Sequence, residues 1–326
     1  MTQGGFDESI QNALNLQNTL KGTRLYGRRI SLTVGTPGSA EELAQVEFNE
    51  QQQVGRDISG LDVEFVVEKS IKPSEPNTAK IKVYNLAEVT RKAMSGTKPL
   101  TVRLEAGYVG AVSQLYFAAV RSAWTVRDGT DFITHLESSD SIARPTGVRT
   151  TKKLQPNEVN GNIYRTMGPR VPLADAFKQI TQALGITEGN LKQALARRNN
   201  PRISSVNGAS LIGNAARRMT DLCRSAGLEW WIDDGKLSLV NIADSLSNGT
   251  NAIEVSSDTG MWDGSPQVDS QGVVQVSTAL IPGLSPGVLV NIDSLFVSGG
   301  YRVEKCRYVG NTRGNDWTCH FDAVKY

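Results

Sequence analysis

Cysteine and histidine are scarce. The 326 residues hold three cysteines, Cys223, Cys306 and Cys319, and two histidines, His135 and His320. No CxxC pair is present and no histidine stands at metal-ligand spacing, so zinc-ribbon sites and disulfide scaffolds are excluded as organising principles. Cys223 falls on an apolar stripe and reads as a small buried hydrophobe. Cys306 and Cys319 fall on two strand patterns near the C-terminus, where a disulfide is conceivable but a reduced pair is favoured for a protein assembled in the cytosol. There is no apolar run of membrane-spanning length. The first residues, MTQGGFDESIQNALNLQ, lack the basic start and apolar block of a signal peptide. Charge of one sign is lacking too. The 35 basic and 33 acidic residues leave a net charge of +2, and a nucleic-acid surface needs a concentrated basic face. These absences fit a cytosolically made subunit that packs mainly against other protein.

The chain is too long for one ordinary domain and suits two or three. Its 31 glycines and many Val, Thr and Ser residues point to short strands and turns. The expected class is α+β, mainly β, with two small β-barrel domains flanking a helix-plus-hairpin α/β module. Residues 1–28 read as an N-terminal arm, 29–150 as the first barrel, 151–245 as the module and 246–326 as the second barrel. In the arm, Phe6, Ile10 and Leu14 allow a weak amphipathic helix, and a terminus without structure of its own is the alternative. Ile30 to Val34 open a strand, and the polar run 41–53 reads as a loop or short helix. Leu61, Val63, Phe65 and Val67, then Ala79, Ile81 and Val83, alternate as two half-buried strands around a Pro-bearing loop. A short helix at 86–94 and strands at 102–104, 115–120, 123–126 and 132–136 follow, with a hairpin turn at Asp128-Gly129. The polar stretch 138–169 is the best boundary. In the C-terminal part, strands are expected at 273–278, 288–292, 301–308 and 317–324, with turns at Gly299-Gly300 and 310–314.

The middle of the chain is the most informative. Ala174, Phe177, Ile180 and Leu184 share one helical face that Gly185 stops, and 190–196 reads as a second short helix. Leu211, Ile212, Ala215, Met219, Leu222, Cys223 and Ala226 recur at helical spacing, with Ser210 or Asn207 as N-cap and Gly227 as left-handed C-cap. The period then changes to two. Leu228, Trp230 and Ile232 alternate with Glu229, Trp231 and Asp233, and Asp234-Gly235 suits a type I′ turn before Leu237 and Leu239. Alternation places Trp230 in a core and Trp231 outward as a contact residue.

No catalytic, cofactor or metal residues emerge from the pattern. Glu229, Asp233 and Asp234 form the nearest thing to an acidic cluster, and two of them sit where a turn wants Asp. Neither histidine lies near a Ser or Cys motif. Gly107-Tyr108-Val109-Gly110 is not a phosphate loop, because no GK[ST] follows. The basic run Arg197-Arg198-Asn199-Asn200-Pro201-Arg202 suits a solvated loop better than a phosphate or acidic-partner site.

Three patterns carry a resemblance. The first is Phe65-Val66-Val67-Glu68-Lys69 followed by Pro76-Asn77-Thr78-Ala79-Lys80-Ile81-Lys82-Val83-Tyr84-Asn85-Leu86. The second is Gly208-Ala209-Ser210 leading to Ser225-Ala226-Gly227-Leu228-Glu229-Trp230-Trp231 and the Asp234-Gly235 turn. The third is the segment 280–287, then Gly300-Tyr301-Arg302-Val303, Gly310-Asn311-Thr312 and Trp317. Together they resemble the baseplate hub proteins of contractile-tailed phages, the group of the T-even hub, the late-control D proteins and the hub part of VgrG. The third pattern departs where the family often has a histidine and a Gly-Asp pair and this chain has Tyr308 and Gly310-Asn311. The resemblance implies a homotrimer whose two barrels per subunit make a pseudo-hexameric ring, a symmetry adaptor between a six-fold tail tube and a three-fold central spike. It implies partners in the spike, the tube, other baseplate proteins and the tape-measure protein, and a place in the virion after assembly in the host cytoplasm. It implies no enzyme, no cofactor, no nucleic-acid recognition and no membrane segment. Competing classes are a hexameric tube or distal-tail protein, a cell-wall hydrolase using Glu229, and a carbohydrate-binding module in 171–241.

Overall fold

Thirteen strands owe their pairing to period-two burial. In the computed structural model, which describes residues 27–35, 42–49, 61–96, 99–140, 162–199, 201–203, 208–242, 244–246, 252–262 and 266–326, the chain divides into two compact units. One falls within residues 1–70, 77–139 and 247–326, the other within 71–76 and 140–246. The expected arm, apart from its last two residues, lies outside the described residues.

The first unit takes strands from both ends of the chain. From the N-terminal part come β1 (Arg28–Gly35), β2 (Glu42–Asn49), β3 (Val63–Ser70), β4 (Thr78–Tyr84), β5 (Thr101–Tyr108), β6 (Ala111–Asp128) and β7 (Asp131–Ser139), with helix α1 (Glu88–Met94) between β4 and β5. From the C-terminal part come β12 (Ile253–Ser256), β13 (Gln267–Val268), β14 (Val273–Ala279), β15 (Leu289–Asp293), β16 (Ser298–Asn311) and β17 (Trp317–Lys325). They form one sheet in the order β13-β14-β17-β16-β3-β4-β7-β6-β5-β1-β2, with β15 and then β12 branching from β16. Among the described residues no pairing closes either half into a ring. Every contact on the main path is antiparallel; among the described strands of this sheet only β12 and β15 run parallel. On β3, Val63, Phe65 and Val67 are buried, and on β4 Ala79, Ile81 and Val83. Their inward side chains join one core with Leu104, Leu136, Val303, Tyr308 and Phe321.

Four local expectations change. The polar run 41–53 holds a strand: β2 pairs with β1 so that Phe48, Val46 and Ala44 stand opposite Ile30, Leu32 and Val34. Its apolar residues do alternate, but Glu and Gln between them mask the period. The strands expected at 115–120 and 123–126 are one strand, β6, which pairs first with β5 and then, from Val120 onwards and through a bulge at 120–122, with β7. The turn that follows is centred on Gly129 and Thr130, one position beyond the expected pair. Gly299-Gly300 is not a turn; both residues pair with β15 inside β16. The reversal comes earlier, where the Ser294 hydroxyl donates to the Val297 carbonyl (2.8 Å) and accepts from its N–H (3.0 Å).

The second unit contains β8 (Asn162–Met167), α2 (Leu173–Leu184), α3 (Leu191–Ala196), β9 (Ala209–Asn214), α4 (Ala215–Ala226), β10 (Leu228–Asp233) and β11 (Lys236–Asn241). Leu173, Ala176, Phe177, Ile180 and Leu184 form the buried face of α2, packed with Ala215, Met219 and Cys223 of α4 and with Trp230, Leu237 and Leu239 of the hairpin. Helix α4 starts later than the periodicity predicts. Leu211 and Ile212 belong to β9, which pairs with β8, a strand hidden in the polar connector. The N-cap is Asn214, whose side chain accepts the Arg217 N–H at 3.0 Å; Ser210 lies within β9 instead, and Asn207 lies outside the described residues. Gly227 ends α4 in the left-handed conformation, φ 64°, as a C-cap glycine does. Asp234 and Gly235 both have positive φ, 52° and 73°, the two-residue type I′ turn expected between β10 and β11. No helix among the described residues is long and apolar enough to cross a membrane.

Candidate functional site

The residues of the first and third sequence patterns, some 250 positions apart, meet at one seam. Strand β16 pairs with β3, setting Gly310 opposite Phe65 and Asn311 opposite Glu64. On its other side Gly310 faces Trp317 of β17. The Phe65 and Trp317 rings meet edge to face at 5.8 Å, a favoured aromatic geometry. A Cβ on Gly310 would lie 2.3 Å from the Phe65 ring. Thr312 closes the end of the seam: Val63 N–H donates to its hydroxyl (2.9 Å), and that hydroxyl donates to Asp62 (2.5 Å). Arg28 of β1 reaches the same turn, donating to the carbonyls of Asn311 (3.2 Å) and Gly314 (2.6 Å) and lying 5.5 Å from the Trp317 ring centroid. Asn85 of the first pattern has another task. With φ 55°, it accepts from Phe132 N–H and donates to Asp131, both at 2.9 Å, so it holds the β6–β7 hairpin.

From this seam a row of side chains crosses the solvent face of five strands. Register places Asn311, Glu64, Lys82, His135 and Trp124 side by side on β16, β3, β4, β7 and β6. Glu64 is the hub of its polar half. It accepts from Lys82 (2.9 Å), Tyr84 (2.9 Å) and Asn311 (3.2 Å). Partial burial pushes its carboxyl upward, but the hydrogen bonds from Lys82 and Tyr84 outweigh this and hold its pKa below the usual 4.5. Tyr84 moves the opposite way: burial, then the bond to Glu64, push its phenol from 10.0 up to about 12. At the other end Trp124 stacks on His135, ring centroids 5.0 Å apart and planes 3° from parallel. The next row carries Lys80 and Glu137, the latter accepting from Ser122 at 3.1 Å. Together they line a shallow depression of ≈ 340 Å³ that also takes in Asp316.

The residues singled out from sequence lie elsewhere. Glu229, Asp233 and Asp234 sit along β10 and its turn, with Asp233 opposite Lys236. Trp230 is in the module's core, its indole N–H donating to Thr220 at 3.2 Å. Trp231 corrects the alternation argument. It is fully buried, as are Ser238 and Val240 on the same side of the hairpin, so it is not an outward contact and offers no aromatic platform for a sugar. Arg198 holds the end of α4, donating to Ala226 carbonyl and, at 2.6 Å, to the Asn241 side chain. The basic loop therefore serves the module's own structure. Gly107 and Tyr108 end β5, and Val109-Gly110 make a two-residue turn.

His320 does have a serine neighbour that sequence could not reveal. Register sets it opposite Ser277, whose hydroxyl lies 2.8 Å from Nδ1, while Nε2 is 3.3 Å from the Thr318 hydroxyl. A triad needs a carboxylate orienting the imidazole. Here both ring nitrogens meet hydroxyls, so this is a cross-strand polar contact. None of the three cysteines forms a disulfide, and all three are buried. Burial pushes the Cys223 thiol up, and burial followed by the neighbouring Cys306 does the same to Cys319; such thiols are unreactive. Among the described residues no group of His, Cys, Asp and Glu could hold a metal ion.

The chain shares its fold with tail proteins. A tail protein from Neisseria meningitidis MC58 superposes with a TM-score of 0.52 at 10% identity, over 91% of this chain and 96% of that one. The 43 kDa tail protein of prophage MuSo2 from Shewanella oneidensis gives 0.52 at 9% identity, over 91% and 98%. No family model and no curated protein matches the sequence. At such identity the likeness lies in the fold.

Proposed function

We propose that the chain is a structural subunit of a phage tail, and within the tail the baseplate hub. The observation that carries this reading is the extent of the shared fold. Both tail proteins are matched over almost their whole length, and the match takes in both β segments and the module between them. The sequence patterns supply the finer assignment, because two of the three converge on the seam that joins the β segments. The chain then acts by binding and holding, not by catalysis. Three copies, each with two β segments, would place six similar surfaces around one axis. Such a ring would join the six-fold tube to the three-fold central spike, contact other baseplate proteins and the tape-measure protein, and reside in the virion tail after assembly in the host cytoplasm. A surface for self-association is at hand. The β15–β16 turn presents Leu295 and Phe296 side by side, 84% and 80% exposed, on a loop braced by Ser294. Adjacent exposed apolar residues on a rigid turn mark a contact site.

Native mass spectrometry and light scattering at micromolar concentration test the reading. A trimer is expected. A monomer overturns the hub assignment, and a hexamer reassigns the chain to a tube or distal-tail ring. Release of fragments from purified peptidoglycan, lost on Glu229→Gln, would overturn the non-enzymatic reading.

A further inference from the structure

The depression around Trp124 has a chemistry that seam geometry does not require. Trp124 is 40% exposed. One face of its indole is covered by His135, which fixes the ring upright. The part of β6 that carries it, 122–128, pairs only with β7 among the described residues, so no strand stands beside its other face. The depression runs from Trp124 across four neighbouring strands to β16, about 19 Å at the usual strand spacing, and carries groups of both hydrogen-bonding senses: Glu137, Lys80 and Lys82 on the two strands nearest the indole, and Glu64, Asn311 and Asp316 towards the far end. Glu64 and Lys82 are committed to each other. Lys80 and Asp316 have no ion-pair partner among the described residues.

We propose that this depression binds a pyranose unit of an oligosaccharide. A sugar ring has an apolar C–H face, which packs on the electron-rich face of an indole. Its hydroxyls donate and accept at once, and so match a rim that mixes carboxylate acceptors with ammonium and amide donors. Other ligand classes fit worse. Three carboxylates repel the phosphates of nucleic acid, and a charged rim opposes a purely apolar peptide. The volume of ≈ 340 Å³ is at the lower end of small-ligand sites and admits one or two sugar rings. The site does not depend on the hub assignment.

The test uses the full chain in saturation-transfer NMR and isothermal titration with three probes: an N-acetylglucosamine tetramer, maltotriose and a galactose-containing trisaccharide. At least one is expected to bind, with affinity falling about tenfold or more on Trp124→Ala, which converts to about 1.4 kcal/mol, and falling also on Glu137→Gln, on the strand beside it. Trp262→Ala, at another exposed tryptophan, should leave binding unchanged. Circular dichroism melts confirm that each variant is folded. Binding of none of the probes, or an equal loss in the Trp262 variant, overturns the proposal. A change of oligomeric state in the Trp124 variant would assign the depression to a subunit contact and overturn it as well.

Discussion

Gly310 shows how much one absent side chain can hold. Its missing Cβ leaves the space in which the Phe65 ring lies, and that ring meets Trp317 across β16. Gly310→Ala should therefore act by overpacking, at a cost of about 1–3 kcal/mol, read as a lower urea midpoint. Phe65→Leu should be less harmful in the Gly310→Ala background than alone, because the two positions share one space. Trp230 is the converse case, a large side chain filling a core and hydrogen-bonded to Thr220. Trp230→Ala should cost ~3–5 kcal/mol, seen as a large fall in melting temperature. Glu64 and Tyr84 make stability depend on pH in opposite directions. Folding lowers the Glu64 pKa below 4.5, so its contribution is complete above that pH and is lost as pH falls through the folded value. Folding raises Tyr84 from 10.0 to about 12, so its contribution is complete below pH 10 and disappears between 10 and about 12. Urea midpoints across that alkaline window should fall more steeply for the wild type than for Tyr84→Phe. Absorbance titration should lose one tyrosine, of eight, that ionises at about 12, in the same variant.

Elements were legible where one period was undisturbed. The alternation of Val63, Phe65 and Val67, the stripe of α2 and the Asp234-Gly235 turn each have one physical solution, and the structure adopts it. Mistakes arose where two signals overlapped. Leu211 and Ile212 continue the helical spacing of α4 backwards, but Gly213 with φ 103° and the Asn214 cap divide strand from helix there. Strand β2 was hidden by its glutamates, and Gly299-Gly300 looked like a turn because glycine pairs usually are. The row from Asn311 to Trp124 was beyond reach from sequence alone. Its members lie on five strands, and only the long-range registers of β16 with β3 and β4 with β7 align them. The β15–β16 turn carries a prediction at this scale. Leu295→Asp with Phe296→Asp should leave the melting temperature nearly unchanged, since both side chains are already in water, and should weaken self-association by at least an order of magnitude in sedimentation velocity.

At the scale of the whole molecule, the first unit is assembled from both ends of the chain around an inserted second unit. The N-terminal strands end at β3 with an edge that only β16 covers. Residues 27–140 produced alone should therefore aggregate, as exposed sheet edges do. Co-production with 247–326 should restore a soluble complex, recovered by an affinity tag on either piece. Recovery of soluble, folded 27–140 without its partner would show that β16 is dispensable for the N-terminal strands. This joining of the ends also explains why the α+β, mainly β class was readable from sequence while the topology was not: the class follows from local periods, the topology from a pairing that local periods do not encode.

That same pairing sets a timetable for synthesis. Val63 receives its Thr312 partner from 249 residues further along the chain. At ~5–20 residues per second, a ribosome needs roughly 12–50 s to deliver it. Throughout that interval the nascent N-terminal half waits with its hydrogen-bonding edge open, so yield should depend on translation speed and on chaperone supply more than on the stability of the finished fold.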